Sequence, residues 1–177
     1  MMMQMLSAGG MSVLTDHMRT ADEDNVRGYF EFERAKQIKK DTTWLPDAVG
    51  KVVKMIYLLL YDLPSDYHFR VIFMQRPLDE VIRSQQVMLQ RRSERGAGLS
   101  TQQMREVFQR QLEKMDGWLA HQPNFEKLDV RYHDVIRDPS AEAARVQQFV
   151  AQDVDVAAMT EAVDPALFRQ RSDSTAH

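Results

Sequence analysis

Apolar positions along this chain change their spacing from stretch to stretch, and each spacing predicts an element. Phe69 to Met74 is a continuous, β-branched apolar run. Runs of that length and continuity suit a strand buried on both faces of a parallel sheet. Arg76 and Pro77 break it, and Leu78, Val81, Ile82, Gln85 and Leu89 then follow at helical spacing, with Asp79 and Glu80 in the first turn. Acids there suit the helix dipole. The prediction is a strand, a tight turn and a helix, with an arginine at the strand's carboxyl end. In open α/β sheets that edge is where ligands bind.

The same reading extends along the chain. Met1, Met2, Met3, Met5 and Leu6 form an apolar stripe that predicts a helix ended by Gly9 and Gly10, with Met11 to Leu14 a short strand. Asp22 to Gly28 reads as a loop and Tyr29 to Lys40 as a helix, acids early and lysines late. Trp44-Leu45-Pro46 predicts a turn, Lys51 to Ile56 a second buried strand, and Leu58 to Leu63 a short helix stopped by Pro64. Gly96 to Leu99 is a break before a Ser100-Thr101 cap and a helix over Gln102 to His121. Its stripe of Met104, Phe108, Leu112, Met115 and Leu119 is core packing. Lys127 to Tyr132 predicts a third strand, then an apolar-striped helix running through Phe149 and Val150. Ala157 to Arg171 holds a last helix, and Ser172 to His177 a frayed tail.

Composition narrows the class. A chain of 177 residues makes one domain with its own core, spanning 1–177. A net charge of −3 argues against a nucleic-acid-binding surface. The absence of cysteine excludes disulfides and thiolate metal sites and is compatible with a reducing compartment. The five histidines show no paired ligand spacing, so no metal is expected. No apolar run approaches the roughly 20 residues needed to span a bilayer. The amino terminus lacks the basic region of a signal peptide, so the expectation is a cytoplasmic protein.

Arg76 and Ser84 lie on one strand–turn–helix, where guanidinium and hydroxyl are suited to grip one anion. The alternative from spacing is that Arg76 pairs with Asp79 and Ser84 is an ordinary helix residue. The pattern Arg76-Pro77-Leu78-Asp79 with Ser84 resembles the 3′-phosphate-binding segment of the sulfotransferases, which transfer a sulfonate group from 3′-phosphoadenosine 5′-phosphosulfate (PAPS). Two further blocks are similar to segments of the bacterial members, namely Asn25-x-x-Gly28-Tyr29-Phe30-Glu31 and Tyr132-His133-Asp134 with Asp138-Pro139. The resemblance implies a three-layer α/β fold of the P-loop nucleotide-hydrolase type with a mainly parallel sheet. It also implies that Arg76 and Ser84 bind the donor's 3′-phosphate, that Tyr132 contacts its adenine, and that Arg169 or Arg171 covers the donor site. His133 stands where the family usually has glutamate.

For catalysis the resemblance places Glu31 near the acceptor, where a carboxylate is a reasonable general base. Its alternative is a solvated helix charge. Lys54 is expected to steady the transferring sulfonate, its alternative being a residue snorkelling from a strand end. Ile56 stands where cytosolic sulfotransferases carry a histidine base, and isoleucine takes no proton. The family's Pro-Arg-Ser-Gly-Thr-Ser loop for the 5′-phosphosulfate, and the strand before it, do not precede the first helix. A truncated or mis-assigned start is therefore expected, and with it doubtful turnover. The competing reading is a non-catalytic remnant or nucleotide-binding module. The gap in its sheet would then invite an oligomer or a partner strand.

Overall fold

The computed structural model describes residues 1–16, 30–91 and 98–164. Two strands, β1 (Phe69–Gln75) and β2 (Phe125–Arg131), run parallel, pairing Phe69 with Phe125 and Gln75 with Arg131. Parallel neighbours need a crossover. Here it holds two helices, α3 (Leu78–Arg91) and α4 (Thr101–Leu119). The expected strand–turn–helix is present, with Arg76 and Pro77 as the two residues between β1 and α3.

Side chains alternate across the strands, and each face of the sheet carries its own cover. Ile72, Met74, Leu128 and Val130 face a core made by α1 (Met2–Ala8), α6 (Pro139–Val150) and α7 (Val156–Glu161), with Met5, Val146 and Met159 fully buried. Val71, Phe73 and Phe125 face the other way, against Met115 and Leu119 of α4 and Leu60 of a 3₁₀ turn over Tyr57–Asp62. Helices therefore lie on both sides of a parallel sheet, giving three layers. β2 leads directly into the short α5 (Tyr132–Arg137), and Asp138 caps α6 by accepting the Ala141 N–H at 3.0 Å. Ser100 caps α4 through a reciprocal pair with Gln103.

A third cluster surrounds Trp44, which is fully buried beside Ala35, Ile38 and Leu45, the last opening the one-turn α2 (Leu45–Ala48). Its indole N–H donates to the Asp41 carbonyl at 2.9 Å, and Phe32 meets its ring edge-on.

Four expectations need correction. Lys51 to Ile56 forms no strand ladder: Val52 alone makes a parallel bridge, to Val13, exchanging backbone bonds with Ser12 and Leu14 at 2.9 Å. The segment stays extended because Val53 and Met55 point into the Trp44 cluster while Lys54 and Ile56 point outward. Met11 to Leu14 is likewise reduced to that bridge. The helix expected from Tyr29 shrinks to a 3₁₀ turn over Glu33–Gln37. Its start is displaced because the Glu31 carbonyl accepts the Thr15 hydroxyl at 2.9 Å and the Asp16 N–H at 3.4 Å, so residues 30–32 stay outside the helix, Phe32 in an extended conformation. Tyr132 is not the end of β2 but the first residue of α5.

Candidate functional site

The carboxyl ends of β1 and β2 bring two distant segments together. Arg76 leaves β1 as its ladder stops, and Tyr132 opens α5 as β2 stops. The Arg76 guanidinium carbon lies 4.7 Å from the centroid of the Tyr132 ring, over its face. A cation so placed is attracted by the ring quadrupole. Burial pushes the Tyr132 phenol above its ordinary pKa, and the Arg76 guanidinium pulls back against that rise. The phenol is therefore neutral at physiological pH.

Glu80 completes the arrangement. It sits in the first turn of α3, only 2% exposed, and its Oε2 accepts from Arg76 Nη2 at 3.2 Å. His133 Nε2 lies 3.1 Å from both carboxylate oxygens. Arg76 thus takes Glu80 rather than Asp79 as its partner, and Asp79 pairs instead with Arg105 of α4. Ser84 follows Glu80 by four residues, half-buried on the same stripe of α3. Such neighbours stand about 5–6 Å apart between Cβ atoms. Arg76, Glu80 and Ser84 consequently form one row leading away from the sheet edge.

Beside this row, Gln75, Asp129, Arg131, Asp134 and Arg145 line a polar cleft of about 420 Å³. Gln75 donates to Asp129 at 2.9 Å, and Arg145 is gripped by Glu142 at 2.6 and 2.7 Å while donating to the Asp129 carbonyl. Most of its charge is therefore spent internally.

The residues expected to act in catalysis also meet. Glu31 lies between two ammonium groups, 3.7 Å from Lys54 Nζ and 3.2 Å from Lys36 Nζ. Lys36 has its pKa pushed up, first by its hydrogen bond to Glu33 and then by Glu31, against the opposing effect of burial. Lys54 reaches Glu31 from the outward face of its extended segment, next to Ile56, which is 61% exposed. Among the described residues, the Glu31–Lys54 pair shares no hydrogen bond or ion pair with the Arg76 row. Arg169, Arg171, Gly28 and Tyr29 lie outside the described residues.

A family model described as "Sulfotransferase family" matches residues 29–155, more than two thirds of the chain. The chain belongs to the sulfotransferase family. No curated protein and no solved structure matches it. The matched span holds Glu31, Lys54, Arg76, Ser84 and Tyr132, and it covers the parallel sheet and both crossover helices. The three-layer α/β arrangement is that expected of a sulfotransferase. Among the described residues no cluster of three or more His, Asp or Glu is placed to hold a metal ion, and no helix is long and apolar enough to cross a membrane.

Two residues of the site escaped the sequence reading. Glu80 reads as an ordinary first-turn acid, although its spacing of four from Arg76 is that of a helical ion pair. His133 reads as an inconsequential replacement, although it faces the one buried carboxylate of α3.

Proposed function

We propose that this sulfotransferase uses PAPS as donor and passes its sulfonate group to an acceptor hydroxyl or amine. Arg76 and Ser84 bind the donor's 3′-phosphate, and Tyr132 packs against its adenine. The carrying observation is the 4.7 Å approach of Arg76 to Tyr132 at the carboxyl edge of the sheet. Two donor contacts inferred separately, from segments 56 positions apart (132 minus 76), stand against each other where one nucleotide reaches both.

Glu31 and Lys54 act at the transfer point. As the acceptor oxygen or nitrogen bonds to sulfur, the sulfur–oxygen bond to the donor's 5′-phosphate breaks. The acceptor's proton passes to the Glu31 carboxylate, and adenosine 3′,5′-bisphosphate leaves. Lys54, 3.7 Å from Glu31, offsets the negative charge moving onto the bridging oxygen. Positioning and electrostatics carry such a transfer, as they do in phosphoryl transfer. Ile56, exposed beside Lys54, supplies no base at that position, which supports a carboxylate as the proton's recipient.

Sulfur-labelled PAPS incubated with pooled hydroxyl and amine acceptors tests this. Label should move to acceptor with the parent chain, and Glu31→Gln should slow it by about 10²–10⁴-fold, the usual worth of a general base, with the donor's Kd unchanged. Transfer by Glu31→Gln at the parent rate would overturn the base assignment. Donor bound with label passed to no acceptor would overturn the transfer itself.

A further inference from the structure

We propose that Glu80, braced by His133, is the positioning residue that aims Arg76 at the donor's 3′-phosphate; this rests on the donor-site reading above. Arg76 stands on the two-residue turn between β1 and α3, outside any ladder or helix. A long side chain leaving such a turn has many rotamers, and binding an anion must freeze one of them. Glu80 freezes it beforehand. Its carboxylate is 2% exposed, whereas the neighbouring Asp79 is 49% exposed and pairs across to Arg105.

A carboxylate so deeply buried is tolerated when its charge is paired and its oxygens are bonded. Arg76 meets it at 3.2 Å from one side and His133 at 3.1 Å from the other, with the imidazole nitrogen astride both oxygens. The contacts close a ring. Glu80 holds Arg76, Arg76 lies over Tyr132, Tyr132 is followed by His133, and His133 returns to Glu80. The first turn of α3 and the first turn of α5 are thereby locked together at the point where phosphate and adenine contacts must keep a fixed separation. A guanidinium carries five N–H donors, so holding Glu80 is compatible with serving a phosphate.

The test compares adenosine 3′,5′-bisphosphate with adenosine 5′-phosphate, which lacks only the group that Arg76 grips, by calorimetric titration of the full chain. The parent should prefer the bisphosphate. Glu80→Gln keeps the shape and one acceptor but removes the charge, and should cut that preference about tenfold, as loss of a charge-assisted contact does. The affinity for the monophosphate should stay at the parent value. His133→Gln changes a more exposed residue that contacts Glu80 rather than standing on the turn beside Arg76, and should lower the preference in the same direction by less. It keeps the proposal testable if Glu80→Gln fails to fold.

Equal losses for both ligands would make Glu80 a purely structural residue and overturn the proposal. An unchanged preference would overturn it too. A preference that rises would mean that Glu80 competes with the phosphate for Arg76 instead of aiming it. A parent chain without any preference would overturn the donor-site reading, and the role of the brace with it.

Discussion

Replacing Gly9 by alanine should destabilise this protein, while the same replacement at Gly117 should stabilise it. Gly9 follows α1 where that helix meets α7, and its carbonyl accepts the Asp155 N–H at 3.0 Å. Its φ of −71° suits any residue, so the constraint is space. A Cβ there would stand 2.6 Å from Met159 Cγ and 3.1 Å from its sulfur. Carbon atoms pack at about 3.5–4.0 Å, so the overlap is about 1 Å, and Met159 is fully buried, so its side chain would have to shift within a packed core. Overpacking of this kind costs about 1–3 kcal/mol. The stiffer unfolded chain returns about 0.4–1 kcal/mol, leaving a net loss centred on about 1.3 kcal/mol and reaching at most about 2.6 kcal/mol. Gly117 lies in α4 with nothing within 4 Å of its would-be Cβ. Alanine there recovers up to about 1 kcal/mol of helix propensity. Urea unfolding followed by circular dichroism should move the two midpoints in opposite directions at constant slope. A Gly9→Ala chain as stable as the parent would refute the α1–α7 contact on which this side of the core rests.

Two further outcomes follow from the caps. Ser100→Ala removes the hydroxyl that accepts the Gln103 N–H at the start of α4, while the backbone N–H of residue 100 keeps its bond to the Gln103 side chain. The loss should cost about 1 kcal/mol, lowering the thermal midpoint by about 2–4 °C. Asp138 has its carboxyl held below its ordinary value of 3.8, first by the Ala141 N–H and then by the Ser140 hydroxyl. A lowered folded-state value means that its contribution is complete above the ordinary value and is lost as pH falls through the lowered one. Thermal midpoints measured from about pH 5 down to about pH 2 should therefore fall less steeply in Asp138→Asn than in the parent.

What was legible in the sequence was local. The β-branched run from Phe69 and the helix after Pro77 appear where expected because strand and helix periods are written into neighbouring residues. Lys51 to Ile56 carries the same apolar signature but makes one bridge only, since a ladder also needs a neighbour in register. Glu31 has helical surroundings in sequence yet lies outside any helix, because Thr15 and Asp16 claim its carbonyl from 16 and 15 positions away (31 minus 15, 31 minus 16). Arg76 and Tyr132 were each legible as motif residues, and their contact was not, being a product of the parallel register of β1 and β2. Glu80 was missed because burial, which separates it from Asp79, has no mark in the sequence.

Calorimetric titration of adenosine 3′,5′-bisphosphate into the parent chain and into Arg76→Ala tests whether Arg76 holds the donor's 3′-phosphate. A bond to a charged group is worth about 1.5–3 kcal/mol, so the parent should bind and the variant should show an affinity roughly 10- to 150-fold lower. Both samples should be equally folded by circular dichroism. Equal affinity in the two chains would contradict the assignment of Arg76 to the 3′-phosphate and, with it, the placing of the donor site at the carboxyl edge of β1 and β2.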